Sequence, residues 1–276
     1  MAMREFEVLD AVSLAGDGQR NEDAFGCSGA FAWVLDGATG LSPRGLAAHI
    51  WARALSAALA AEAPLANNLL GLVVAATSRA VVSTGWKPDS ELLPHELASA
   101  AGILAHVQED NSVNLLSFGD CEAAVLFEDG KTERFADGRL NDRDRENGGE
   151  LRRLLKECPS VDEAFRRYKA GPATEGRRKM NTSEGYPALT PDGRGLDMAT
   201  AFSLTGVDTL LLFSDGLAWA LDDFGLTDLS DLLTGWTPLG VVAGLLRSAE
   251  RADPAHTRVL RGKTSDDTTG LRLRLR

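Results

Sequence analysis

Phe31-Ala-Trp-Val-Leu-Asp-Gly-Ala-Thr-Gly40 decides how the rest of this sequence is read. Residues 31–35 are apolar without a break, and so short a run, aromatic and partly β-branched, suits a buried strand better than a helix. Asp36 then stands at the strand's end, where a carboxylate leaves the core and meets a cleft. Gly37 and Gly40 allow a tight turn and a close approach of backbone to an ion or ligand. An Asp-Gly pair by itself is only a turn signal. Its company changes its meaning. Asn21-Glu-Asp23 lies just upstream, Phe213-Ser-Asp-Gly216 far downstream, and Ser265-Asp-Asp-Thr268 near the end. Asp36, Asp215 and the Asp266-Asp267 pair each adjoin an apolar, strand-like run. Carboxylates gathered at strand ends repel one another and lose hydration together. A hard divalent cation removes that cost, and oxygen ligands suit magnesium or manganese.

The 276 residues are enough for one large domain with a real core, and 44% hydrophobic with 25% charged residues is a globular composition. A formal charge of −11 argues against binding nucleic acid or an anionic membrane, which need basic surface. No apolar run approaches the roughly 20 residues that span a bilayer, and the first residues carry no signal-peptide core. Cys27, Cys121 and Cys158 are odd in number and have no CxxC spacing, so the expectation is a cytoplasmic chain with reduced thiols and no thiolate metal site.

Taken in order, residues 4–14 read as a strand, 15–20 as a glycine-rich turn, and the chain re-enters a strand near Phe31. The pattern becomes helical from 42, with Pro43 in the first turn and Pro64 at the end. A second helix is read over 65–83 and is broken before Pro88. Residues 98–107, 112–118, 122–127 and 131–135 are strands, the last three read as an antiparallel meander with a hairpin at Glu128-Asp-Gly130. Residues 137–198 read as an insertion beside the cleft. It is polar at first, carries helices over 150–157 and 161–169, and is too rich in glycine and proline beyond 171 for regular structure. Strands return over 200–205 and 207–213, followed by a helical turn over 216–221, helices over 226–233 and 238–253, and a last strand over 266–276. That strand alternates Leu271, Leu273 and Leu275 with Arg272, Arg274 and Arg276, the arginines forming its polar face. No repeat or linker divides the chain, so residues 1–276 are taken as one domain.

The motifs resemble those of the metal-dependent protein phosphatases of the PP2C type, the PPM family. Asn21-Glu-Asp-Ala24 is similar to the family's opening acidic motif, and Val34-Leu-Asp-Gly37 to its Asp-Gly core. Ser117-Phe-Gly-Asp120 resembles the central Gly-Asp motif, Asp208-Thr-Leu-Leu-Leu-Phe-Ser-Asp-Gly-Leu217 the Ser-Asp-Gly signature, and Ser265-Asp-Asp-Thr-Thr269 the closing Asp motif. Each is weak alone; five in the family's order, over most of the chain, are specific. The resemblance implies an α+β fold, a four-layer α-β-β-α sandwich with two central, mainly antiparallel sheets. It implies two Mn2+ or Mg2+ ions between them. Asp36 would bridge both ions, Glu22 and the Gly37 carbonyl would hold one, and Asp215 and Asp266 the other. Asp23 would act through metal-bound water, and Asp120 would serve a third ion.

On that resemblance the chain is a metal-dependent phosphomonoesterase, a protein serine/threonine phosphatase. Water bridging two cations becomes acidic enough to attack phosphorus near neutral pH, while the ions neutralise the phosphoryl oxygens. Its partners would be phosphoserine or phosphothreonine proteins and a cognate kinase, and the chain would be a monomer. Three positions depart from the family. The histidine that commonly follows Asp-Gly as a proton donor is Ala38. The phosphate-binding arginine expected four residues before Glu22 is Gly18, leaving Arg20 as the substrate-binding candidate. The third-metal aspartate four residues past Asp215 is Trp219. These departures set up the alternative, a PP2C-like regulatory or binding module of low or no activity.

The remaining features have plainer readings. His49 on the first helix reads as structural or exposed, His95 as an ordinary loop residue, His106 as a core histidine and His256 as surface. None has zinc-site spacing. Arg177-Arg-Lys179 reads as a solvated loop, with capture of a phosphorylated substrate as the alternative. The glycines of 15–18 lack the Lys-Ser/Thr of a P-loop.

Overall fold

The computed structural model describes residues 4–17, 20–42, 45–87 and 92–276, residues 141–147 through their backbone alone. Gly18, Pro43 and Pro88 lie outside the described residues. In chain order the strands are β1 (Phe6–Leu14), β2 (Ala24–Ser28), β3 (Phe31–Ala38), β4 (Ser99–Val107), β5 (Val113–Phe118), β6 (Glu122–Phe127), β7 (Thr132–Ala136), β8 (Thr200–Leu204), β9 (Val207–Phe213) and β10 (Thr268–Leu275). They form two five-stranded sheets, β1-β10-β9-β6-β7 and β2-β3-β4-β5-β8. Every pairing between named strands is antiparallel.

Strand periodicity explains how the sheets stack. Side chains alternate between the faces of a strand. On β3, Phe31, Trp33 and Leu35 point one way, into an apolar layer shared with Trp51, Leu55 and Leu59. Those three lie on α1 (Ala48–Glu62), and α2 (Leu69–Thr84) adds Leu72 and Val73 to the same layer. Ala32 and Val34 point the other way and meet Leu210, Leu212, Leu271 and Leu273 between the sheets. The outer face of the first sheet offers Leu211 and Phe213 to Leu217, Leu232 and Leu246. These come from α6 (Asp215–Asp222), α7 (Leu229–Thr234) and α8 (Leu239–Arg251). The result is helix, sheet, sheet, helix, with an apolar layer at each of three interfaces. No helix among the described residues is long and apolar enough to cross a membrane.

The meander reading needs correction. β5 belongs to one sheet and β6 to the other, so Gly119-Asp120-Cys121 is a crossover between sheets. β8 and β9 divide in the same way across Thr205-Gly206. A turn signal marks where a strand stops and carries no information about which sheet accepts the next one.

The insertion is also more ordered than its composition implies. α3 (Gly138–Glu157) begins twelve residues before the expected helix, capped by the Asp137 carboxylate on the Arg139 amide. α4 (Val161–Tyr168) and α5 (Thr174–Arg178) follow. Beyond them the chain is irregular but docked. Leu189 exchanges both backbone hydrogen bonds with Ala100 of β4, and the Trp51 indole donates to the Leu189 carbonyl at 2.9 Å. His256 is 4% exposed, not surface, with its ring edge-on to Phe165. Arg272 is buried rather than part of a polar face, and it donates to the Leu232 carbonyl at the end of α7.

Candidate functional site

The acidic residues arrive at one end of the layer between the sheets, and the strand phase puts them there. Asp36 has the phase of Ala32 and Val34, so it continues the inward face of β3 just where apolar partners run out. Asp23 directly precedes β2, which pairs with β3 in the register Ala24 to Leu35. Asp215 follows β9 by two residues, and Asp266 precedes β10 by two. Asp120 sits in the crossover after β5. A lattice of hydroxyls ties these strand ends together. Ser214 donates from Oγ to Asp23 Oδ2 at 3.0 Å and accepts from the Thr269 amide at 3.0 Å. Ser13 Oγ lies 2.9 Å from Thr269 Oγ1 and accepts from the Asn21 side-chain amide at 2.8 Å.

Two glycines permit the close contacts. A Cβ on Gly37 would stand 2.5 Å from the Glu22 carbonyl oxygen, to which the Gly37 amide donates at 3.2 Å. A Cβ on Gly216 would stand 1.9 Å from the Asp267 carbonyl oxygen. These glycines let the segment before β2 and the segment before β10 lie directly against the Asp-Gly turns.

Asp267 organises the entry loops. One of its carboxylate oxygens accepts from the Gly16 amide at 2.8 Å, the other from the Glu22 amide at 2.6 Å. Glu22 is thereby fixed at its backbone, and its carboxylate accepts from the Thr39 hydroxyl at 2.6 Å. From the other side, Arg247 on α8 donates to the Asp266 carbonyl and, at 3.0 Å, to Thr268 Oγ1.

Crowding acid groups away from water has the expected electrostatic result. Burial pushes the Asp36 carboxyl well above the ordinary carboxylate range, and the charges of Asp23, Asp215, Asp266 and Asp120 push it the same way. Burial raises Asp23 to about 7, against the hydroxyl hydrogen bonds of Thr269 and Ser214. Asp266 is raised well above its usual value by burial and by Asp215, with Lys263 opposing.

Among the described residues, no three acidic, imidazole or thiol side chains stand together in an arrangement that could hold a metal ion. The donor atoms nevertheless fit an ion in kind. Asp23 Oδ1, Asp215 Oδ1 and Asp266 Oδ2 are buried side-chain oxygens without a hydrogen-bond partner. Such orphans are rare in folded proteins and call for a cation or water. All are hard oxygen donors, which suits Mg2+ or Mn2+ and not a soft-ligand metal. The other oxygen of Asp266 is ion-paired with the Lys263 ammonium.

A cleft of about 430 Å3 opens over this end, lined by Asp17, Arg20, Glu22, His49, Lys263, Ser265, Asp266 and Asp267. Arg20 therefore faces the same opening as Glu22 and Asp266. Its Nη1 lies 2.6 Å from His49 Nε2, so His49, read from sequence as structural or exposed, belongs to the cleft. His106 is a core histidine as expected, stacked on Phe31 and 2.6 Å from the Gln108 side chain. Arg177 is not a solvated loop cation. It donates to the carbonyls of His95, Ala38 and Leu97 at 2.9–3.1 Å and to Ser99 Oγ at 3.2 Å. Its Nε and Nη2 are thus engaged by the protein, which ties the side chain to the ends of β3 and β4.

Sequence reasoning passed over Asp267 and Lys263. The doubled aspartate was a visible signal for Asp267, because only one of two adjacent side chains can face the inter-sheet layer. A lysine three residues before an aspartate has no such signature.

Neither family models nor curated proteins give a match to this sequence. Solved structures do. The catalytic domain of the serine/threonine protein phosphatase PstP, in complex with two manganese ions, aligns over 99% of both chains with a TM-score of 0.58 and 19% identity. The PPM Ser-Thr phosphatase MsPP from Mycobacterium smegmatis, in complex with cacodylate, aligns over 97% of this chain and 98% of its own, at TM-score 0.54 and 20% identity. The serine/threonine phosphatase Stp1 from Staphylococcus aureus covers 100% of this chain and 96% of its own, at TM-score 0.54 and 16% identity. The two stacked sheets with their outer helices are thus the fold of the PP2C-type, or PPM, serine/threonine phosphatases.

Proposed function

We propose that this chain is a metal-dependent phosphomonoesterase acting on phosphoserine or phosphothreonine in proteins, with two Mn2+ or Mg2+ ions as cofactors. The observation that carries the reading is the set of three buried, partnerless carboxylate oxygens on Asp23, Asp215 and Asp266. Of the three, Asp266 also lines the cleft. On this reading Glu22 and the Gly37 carbonyl would hold one ion, Asp215 and Asp266 the other, Asp36 would serve both, and Asp120 would serve a third. Bound there, the ions would activate water and offset charge on the phosphoryl group.

The chain's own residues supply the rest. Arg20 faces the cleft as the phosphate-binding cation. Asp23, held by Ser214, would act at its free oxygen through metal-bound water. Asp267 fixes the Glu22 backbone. No cysteine or serine nucleophile is required. The negative overall charge fits a protein substrate better than nucleic acid. We take the chain as a cytoplasmic monomer of one domain whose substrate is the product of a cognate kinase.

The test is release of phosphate from a phosphothreonine peptide in Mn2+, stopped by EDTA and lost in Asp36→Asn. A second reading, a low-turnover module, is favoured by two observations: Ala38 offers no proton donor beside the Asp-Gly turn, and Lys263 is paired with Asp266. No release above the Asp36→Asn control across Mn2+, Mg2+ and Co2+ would select it.

A further inference from the structure

The Lys263 ammonium is ion-paired with Asp266 Oδ1, and it also lies in the field of Asp215 and Asp36. It is a cation placed among carboxylates that the proposed function assigns to metal, and nothing in that function uses it. Its backbone is fixed on both sides. Arg261, 1% exposed at its side chain, is locked to Asp253 and donates from Nε to the Thr264 carbonyl at 3.0 Å. The Thr264 amide donates to Asp17 at 3.1 Å, and the Asp17 amide donates to the Ser265 carbonyl at 3.3 Å. The Lys263 side chain itself remains 45% exposed. The base of the stem is held while its flexible end borders the open cleft, so the ammonium can exchange Asp266 for water without any change of fold.

Asp266 presents two oxygens in different situations. Oδ1 takes Lys263 and the Asp267 amide, and Oδ2 is buried without a partner. A divalent ion on Oδ2 would stand within a few ångströms of the ammonium, and like charges so close in a partly dry site repel strongly. Ion and ammonium therefore compete for one carboxylate.

We propose that Lys263 is a built-in competitor of the metal: it neutralises Asp266 in the ion-free chain, and an ion at Asp266 loads as the ammonium leaves for solvent. The proposal rests on the metal-dependent reading above. It makes Lys263 a residue that sets the metal concentration at which the site fills. A site with such a counter-charge tolerates metal depletion and demands more free ion.

The experiment measures Mn2+ binding by calorimetry, and free Mn2+ by electron paramagnetic resonance, for wild type, Lys263→Met and Lys263→Arg. The methionine variant keeps the stem and removes the charge. It is expected to bind Mn2+ about tenfold more tightly, while the arginine variant stays within about threefold of wild type. Equal or weaker binding by a folded Lys263→Met overturns the competitor and leaves the metal-dependent reading standing. Absence of Mn2+ binding in both folded proteins overturns both. If Lys263→Met does not fold, wild type labelled with 15N-lysine decides. The Lys263 ammonium signal is expected to pass from ion-paired to solvent-exchanging as Mg2+ is added. An unchanged signal, while other resonances report Mg2+ binding, overturns the proposal.

Discussion

Asp36 shows what a single carboxylate does in this fold. It is carried by strand phase out of water and into a region where four other acids press on it, and burial first, then those charges, hold its proton more tightly. Removing that charge relieves repulsion. Asp36→Asn is expected to raise stability in EDTA by about 1–3 kcal/mol in urea unfolding at pH 8, while abolishing phosphate release. A loss of stability in EDTA would mean that the acids are not crowded. Asp36, Asp215 and Asp266 were legible in the sequence because each sits beside an apolar run that can only be a strand, and strand ends share an edge. Lys263 and His49 were not, because their approach depends on loop paths between elements. Asp267 was half-legible, since the doublet declared itself but its two backbone amides did not.

At the scale of elements, two anchors hold the loops that frame the cleft. Arg177 joins α5 to the end of β3 and the segment before β4 through four acceptors. Arg177→Ala leaves those carbonyls short of partners and is expected to cost about 3 kcal/mol, with faster amide exchange around residues 36–40. The second anchor is Asp253, just past α8. Its carboxylate accepts from the amides of Thr257, Arg258 and Val259 and from Arg261 Nη1 at 2.7 Å. Burial acts to raise its pKa, but the Arg261 bond and the three amide bonds together hold it well below the usual carboxylate range. A depressed acid contributes stability above its unfolded value near 4 and loses it as pH falls below that value toward the folded one. Asp253→Asn should therefore lie about 3 kcal/mol below wild type at pH 7, and the gap should close below about pH 4. Chemical denaturation across that range measures it. Helices α1, α2 and α8 and most strands could be read from period and turn residues. The sheet to which β5, β6, β8 and β9 belong could not, because identical hairpin signals serve both outcomes. The early start of α3 was hidden by its charged composition, in a helix with one apolar residue, Leu140, before Leu151.

For the molecule as a whole, the metal-dependent reading links metal to stability. An ion that binds only the folded chain adds about 2.7 kcal/mol at a free concentration one hundred times its dissociation constant. For a chain of this length that corresponds to a Tm increase of roughly 5 °C. Saturating Mn2+ against EDTA in differential scanning calorimetry should show it, and Asp36→Asn should show much less. The layered architecture was legible through the five ordered motifs and the family they resemble, and the apolar run of β3, buried on both faces, agrees with a sheet covered on two sides.

The pairing of β1 with β10 has a temporal consequence. Ser13 and Thr269, whose hydroxyls touch beneath the acids, are 256 positions apart in the chain. A nascent polypeptide emerging from the ribosome thus carries Glu22, Asp23 and Asp36 long before their final neighbours have been synthesised. Until then Asp23 and Asp36, neighbours across the β2–β3 pair, lack Asp215 and Asp266 beside them. The remaining repulsion is met only when β10 pairs between β1 and β9, so closing this long-range pairing and crowding the acids are one event.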